Sequence, residues 1–215
     1  MIRCVISDFG GVLTTPLIQS FLAFQNHTGI SMEALGMAMQ RMAERDGTHP
    51  LFELEKGRTS EADFLERMAD SLEPILGHRP EMHRFSEIYF DALEPNQPMI
   101  ELMRGLRSRG MRMALLTNNV REWEPLWRSM LPVDEIFELV VDSAFVGCRK
   151  PEPEIYEITL ERLGLAAERC LFVDDVEDNC AAAGRLGMTA VHFRDNEQAI
   201  ADITAAVDAS GNPGS

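Results

Sequence analysis

The chain has 215 residues, 45% of them hydrophobic, enough for one large domain or a domain with a substantial insertion around a real core, and global disorder is disfavoured. Thirty-five Asp and Glu against 20 Lys and Arg give a formal net charge of -15, a field that repels phosphate backbones and anionic lipid, so nucleic acid and membrane surfaces are not expected partners. No apolar run reaches the roughly 18 residues of a membrane span, and no charged-then-apolar leader precedes Asp8, so a cytoplasmic protein is expected.

Cys4-Val5-Ile6 is too short an apolar run for a helix and reads as a buried strand. It ends at Asp8, and Gly10-Gly11 then let the backbone turn sharply and approach a ligand closely. Taken alone, Asp8 could merely cap a turn. From Leu17 to Leu93 the pattern is helical. Ile18, Phe21, Leu22 and Phe24 suit a first helix, and Ser31 caps a second that runs through Leu35, Met39 and Met42. Ser60-Glu61-Ala62-Asp63 resembles a capping box opening a third helix with Phe64, Met68 and Leu72, and a fourth is expected over 80–92. Most of the 13 methionines fall in or just after this stretch and read as adaptable core filler.

Glu94-Pro95-Asn96-Gln97-Pro98 reads as a linker, after which strands and helices alternate. Helices are expected over 100–106, 122–130, 153–163 and 178–186, with strands at Met113–Leu116, Leu139–Val141, Cys170–Val173 and Ala190–Phe193. Pro153 and Gly164 bracket their helix in the expected asymmetry. Repeated strand–helix units predict a parallel sheet covered on both faces. The strand before Asp8 has to join it, so the fold class is α/β, a Rossmann-like core of 1–16 and 94–215 carrying an inserted helical cap of 17–93. The tail from Ala209 to Ser215 is expected to fray. Cys4, Cys148, Cys170 and Cys180 form no CxxC pair and read as reduced thiols.

Polar clusters thus stand at or near the ends of separate strands: Asp8, Thr117-Asn118-Asn119, Lys150-Pro151 and Asp174-Asp175. Converging at the carboxyl edge of the sheet, the three carboxylates would need a cation. Oxygen-only ligands facing an anionic substrate suit Mg2+, and no histidine or cysteine in the clusters points to zinc. Lys150 would orient Asp8 and bind a substrate oxyanion, and the Thr117 hydroxyl with the Asn118 amide or backbone N–H would hold further oxygens. Asp8 is then free to attack phosphorus or carbon.

In this order the clusters resemble the four motifs of the haloacid dehalogenase-like hydrolases: Asp8-Phe9-Gly10-Gly11-Val12-Leu13, Leu115-Leu116-Thr117-Asn118-Asn119, Arg149-Lys150-Pro151 and Phe172-Val173-Asp174-Asp175. The resemblance spans essentially the whole chain. It implies Asp8 as nucleophile and Mg2+ held by Asp8, the Gly10 carbonyl and Asp175, with Asp174 beside the metal's water shell. It also implies Thr117, Asn118, Asn119 and Lys150 around a small phosphorylated substrate. Family phosphatases usually carry a second Asp, a general acid then base, where this chain has Gly10. That variant looks like the subgroup near the amino-terminal phosphatase-like domain of soluble epoxide hydrolase. The expected activity is Mg2+-dependent phosphomonoester hydrolysis, with carbon–halogen hydrolysis, or binding without turnover, as the alternatives. Lys56 reads first as a solvated lysine and second as a cap residue reaching over the site. Glu152 to Glu157 reads as a solvated helical turn, Trp123 and Trp127 as packing residues, and the five histidines show no metal spacing.

Overall fold

The computed structural model describes residues 1–209. Strand β1 is Cys4–Ser7. The helical insertion follows: α1 (Ile18–Thr28), α2 (Met32–Asp46), α3 (Pro50–Glu55), α4 (Glu61–Leu76) and α5 (Phe85–Asp91). Then come α6 (Gln97–Ser108), β2 (Arg112–Thr117), α7 (Glu124–Ser129), α8 (Val133–Ile136), β3 (Leu139–Asp142) and α9 (Ser143–Val146). The chain continues through α10 (Pro153–Leu163), β4 (Cys170–Asp174), α11 (Glu177–Arg185), β5 (Thr189–His192) and α12 (Asn196–Ala209).

The five strands form one parallel sheet in the order β3-β2-β1-β4-β5. β1 lies in the middle, with Ser7 level with Leu115 of β2 and Val173 of β4. Alternation along the strands sends side chains to opposite faces. Val5, Met113, Leu115, Leu171 and Val173 pack with Met99 and Met103 of α6 and Ile203 of α12. Ile6, Ala114, Leu116 and Phe172 pack on the other face with Ile155 and Tyr156 of α10 and Ala183 of α11. Both faces are therefore apolar and covered, as a parallel sheet requires.

The chain leaves the sheet for the helical insertion and returns from it at one point. Thr14 and Pro95 form an antiparallel bridge, flanked by Thr15 N–H to Glu94 O (2.8 Å) and Asn96 N–H to Leu13 O (2.9 Å). Ser31 and Ser60 cap α2 and α4, each accepting from the N–H three residues on at 3.1 Å. In the second case the hydroxyl also donates to the Asp63 carboxylate at 2.7 Å.

Several expectations are corrected. The fourth helix does not start at Pro80: Pro80 and Met82 are buried with Glu81 exposed between them, an extended alternation, and α5 begins only at Phe85. The 122–130 helix is a 3-10 turn at Arg121–Trp123 followed by α7, which starts with Pro125 in its first turn. The sequence reading had no helix at α3, α8, α9 or α12. Ala199, Ile203 and Val207 are the buried stripe of α12 at four-residue spacing, so that signal was there to read. The tail expectation lies, beyond Ala209, outside the described residues. All four cysteines are free thiols, three of them buried. Among the described residues, no helix is long and apolar enough to cross a membrane.

Candidate active site

Three strand-end segments and one loop meet at the carboxyl edge of the sheet: those after β1, β2 and β4, and the loop carrying Lys150. The Asp8 N–H extends the ladder by donating to Val173 O at 2.9 Å, so Asp8 leaves β1 level with the end of β4. Glycine is required just beyond it. Gly11 has φ 78°, and a Cβ there would overlap the Asp175 carboxylate.

The Lys150 side chain is 1% exposed and bridges two carboxylates, with Nζ 2.6 Å from Asp8 Oδ1 and 2.7 Å from Asp174 Oδ2. Asp174 is otherwise fully engaged. It accepts from the Val176 N–H (2.8 Å) and from Asn179 Nδ2 at both oxygens (3.0 and 3.1 Å). Asp8, Asp174 and Asp175 each offer an oxygen within 4.8 Å of the others, a grouping that could hold a metal ion.

One ammonium among three carboxylates leaves the cluster short of positive charge. Burial, with Asp174 and Asp175 adding to it against Lys150, pushes the Asp8 carboxyl up to about 8. Burial and then Asp174 likewise raise Asp175. Burial works to lower Lys150, but Asp174 and Asp8 outweigh it and the ammonium is held more firmly than usual. A divalent cation answers this imbalance, and the all-oxygen donor set fits Mg2+. Asp174, already saturated by Lys150 and Asn179, is better suited to hold Lys150 than to be a ligand itself.

Two spaces meet at this edge. An open mouth of about 740 Å³ is lined by Asp8, Lys150 and Asp175. An apolar cavity of about 170 Å³ lies between the inserted helices and the sheet, with Thr117, Asn118 and Asn119 on its core side. Gly10, Leu17, Glu55 and Asn118 line both.

The expected site residues are brought together with different duties for some. The Asn118 side chain does not point its amide at a substrate: it exchanges two hydrogen bonds with the Lys150 backbone, Nδ2 to O at 2.9 Å and N to Oδ1 at 2.8 Å. It braces the lysine. Asn119 accepts from the Val120 N–H through its own side chain (2.9 Å), and its N–H donates to Ser143 Oγ (3.0 Å). Thr117 is buried, its hydroxyl making only a long 3.5 Å contact to Asn118 O.

Lys56 is neither solvated nor over the acids; its side chain is 13% exposed and pairs with Glu152, so Glu152 is not simply solvated either. Glu55 beside it pairs with Arg149 at 2.5 Å, and burial, opposed by that arginine, raises the Glu55 carboxyl. Arg149 also lies 4.0 Å over the Phe52 ring. These contacts hold α3 to the segment carrying Lys150. Sequence reasoning missed the pairing of Glu55 with Arg149 and the role of Asn179. For Asn179 a signal existed: it is an amide on the buried face of α11, beside Cys180 and Ala183.

Rat "Bifunctional epoxide hydrolase 2" is 26% identical over 216 residues, covering 94% of this chain. Mouse "Acyl-CoA dehydrogenase family member 10" is 28% identical over 208 residues, again 94% of the chain. The chain spans only 38% and 19% of those two proteins. "Phosphatase MT3486" of Mycobacterium tuberculosis is 32% identical over 133 residues, 60% of this chain and 59% of that protein.

Among solved structures, a predicted HAD-like family hydrolase from Porphyromonas gingivalis superposes with a TM-score of 0.72 at 25% identity, covering 96% of this chain and 98% of the other. A HAD family enzyme from Bacteroides thetaiotaomicron, in complex with magnesium and inorganic phosphate, shares the fold with a TM-score of 0.67 at 23% identity, covering 90% and 95%. The family model described as haloacid dehalogenase-like hydrolase matches residues 2–187. With that match over β1 to β4 and all four site clusters, the chain belongs to the haloacid dehalogenase-like hydrolases.

Proposed function

We propose that this hydrolase is a Mg2+-dependent phosphatase acting on a small phosphomonoester through an aspartyl-phosphate intermediate, with 17–93 as its cap. The observation that carries the reading is the buried Lys150 bridge between Asp8 and Asp174, with Asp175 alongside. Asp8 and Asp175, with the Gly10 carbonyl, would hold Mg2+. When bound, the ion supplies positive charge against the phosphoryl oxygens and favours the ionised form of Asp8.

Lys150 fixes one Asp8 oxygen and leaves the other to attack phosphorus in line with the leaving oxygen. The Lys150 charge, held in place by Asn118 and Asp174, also offsets charge building on the equatorial oxygens. The Thr117 hydroxyl and the backbone following it, on the wall of the adjoining cavity, would hold further phosphoryl oxygens. Water then hydrolyses the Asp8 acyl phosphate. A relative named as a phosphatase and a neighbour holding magnesium and phosphate support the same reading.

The test is phosphate release from a panel of phosphomonoesters with differing leaving groups, with Mg2+ and after chelation. Release is expected to require Mg2+ and to fall to background in Asp8→Asn. No release from any ester, or undiminished release in Asp8→Asn, would overturn the reading. Phosphate binding without turnover would favour the binding alternative, for which Gly10 is the support.

A further inference from the structure

The cavity beneath the cap is unlike the mouth that holds the acids. Phe21, Leu35, Met39, Phe64, Met68 and Trp123 are among its walls, and it is enclosed by inserted helices on one side and the 117–120 segment on the other. At about 170 Å³ it slightly exceeds the roughly 150 Å³ apolar cavity that takes up benzene in an engineered protein. It can thus seat one substituted ring.

Polar side-chain groups on its lining are few: Thr117, Asn118, Asn119 and Glu55 towards its core side and rim, and the Tyr89 hydroxyl and Trp123 ring N–H on the aromatic wall, the latter already donating to Glu61. Asn118, Asn119 and Glu55 already have partners in Lys150, Val120 and Arg149. With the Tyr89 and Thr117 hydroxyls as the groups left to bond, a sugar or glycerol buried here would leave its other hydroxyls without hydrogen bonds, which is costly. The doorway between cavity and mouth is formed by Gly10, Leu17, Glu55 and Asn118, so a phosphate at Asp8 and a ring in the cavity can belong to one molecule.

A second observation bears on the leaving group. Gly10 carries no carboxyl, and the space a Cβ would enter is occupied by the terminal methyls of Leu17, each 3.0 Å away. An alkoxide departing past this loop meets hydrocarbon instead of an acid. A phenol, which ionises near pH 10, departs as its anion far more readily than an alcohol.

We propose that the preferred substrate is an aryl phosphomonoester whose single ring sits in the cap cavity while its phosphate meets Asp8. This rests on the phosphatase reading above and narrows its substrate class. Asp8 forms the Oδ–P bond as the P–O(aryl) bond breaks. The electron pair leaves on the aryl oxygen, which takes a proton from solvent. Water then adds to phosphorus, releasing inorganic phosphate and restoring the Asp8 carboxylate.

The experiment compares kcat/KM for phenyl, 2-naphthyl, methyl and glycerol phosphates at saturating Mg2+, and titrates phenylphosphonate and methylphosphonate against Trp123 fluorescence. Phenyl phosphate is expected to exceed methyl and glycerol phosphates by about 10²-fold or more. Phenylphosphonate should give a saturable fluorescence change at concentrations where methylphosphonate gives none. Leu51→Trp, which fills the cavity from its partly exposed wall, should lower the phenyl-to-methyl ratio about tenfold or more. Met39→Ala should move preference towards the naphthyl ester, and it serves if the first variant does not fold.

Comparable rates across the panel, with the ratio unmoved in both variants, would overturn the inference and leave the phosphatase reading intact. No hydrolysis of any ester together with saturable phenylphosphonate binding would remove the phosphatase reading, and with it the aryl ester as substrate.

Discussion

Gly10 and Gly11 are adjacent, yet their tolerance differs for a physical reason. A side chain at Gly10 meets only the flexible end of Leu17, which is partly exposed and can swing away. One at Gly11 meets the Asp175 carboxylate from a left-handed backbone. Gly10→Asp should therefore fold, and should speed hydrolysis of alkyl phosphates relative to aryl ones by about 10²-fold, the usual worth of a general acid. Rates for glycerol and nitrophenyl phosphates in both proteins decide it; an unchanged ratio means that the new carboxyl donates no proton. Asp142, at the end of β3, accepts from the Ala144 N–H at 2.9 Å through one oxygen, while the other is buried without a partner. Burial, opposed by that N–H, pushes its carboxyl up to about 7. An unfolded Asp ionises near pH 3.9. From about pH 4 to about 7 the folded chain therefore keeps a proton that the unfolded chain has lost, and stability falls as pH rises, levelling off above. Asp142→Asn removes that slope, so its advantage over the parent should be larger at pH 8 than at pH 5. Denaturation midpoints at both values measure it, and an equal difference at the two would show that Asp142 does not titrate between them.

The turn after α3 is where an element, more than a residue, decides the architecture. Lys56 and Glu55 pair with Glu152 and Arg149, Arg58 donates to Gly147 O at 3.4 Å, and Trp123 Nε1 donates to Glu61 at 2.8 Å. Gly57 sits among these contacts with φ 65°, and a Cβ there would overlap the Ala144 carbonyl oxygen and crowd Arg121. Gly57→Ala should destabilise the protein by about 1–3 kcal/mol, through the left-handed backbone and the forced separation of cap and core. Thermal unfolding measures the loss, and a melting temperature equal to the parent's would show that the turn gives way freely. None of this was legible in the sequence, because Glu55 meets a partner 94 residues away that local pattern cannot name. The strands and the long helices were legible, since apolar period and caps such as Ser31 and Ser60 act within one turn. Asp8, Asp174 and Asp175 were legible because each ends or adjoins a buried strand, whereas Lys150 lies in the loop beyond α9 and was legible from its place in the motif order. The brace made by Asn118 was not: whether an amide faces substrate or backbone depends on a loop 32 residues on. The short helices α8 and α9, four residues each, are too brief to carry a period.

Across the whole molecule the charge balance, 20 basic against 35 acidic residues, sets a repulsive field for a phosphate dianion approaching Lys150. Raising ionic strength from about 0.01 to 0.15 M shortens the screening length from about 30 to 8 Å. At saturating Mg2+, kcat/KM for a phosphomonoester should therefore rise with added salt. A fall would mean that the local field of Arg149 and Lys150 outreaches the net charge. The same whole-chain view applies to the central strand. Cys4 in β1 is level with Arg112 on one side and Cys170 on the other, so both neighbours of the first strand are made long after it. At a translation rate of about 5–20 residues per second, β1 waits roughly 5–20 seconds on the ribosome with both edges open. The intervening helices, whose contacts are mostly local, can assemble during that interval and hold Thr14 near Pro95 until β2 emerges. A nascent chain arrested before Cys170 would still show one bare edge of an apolar strand, an invitation to chaperones or to a second stalled copy.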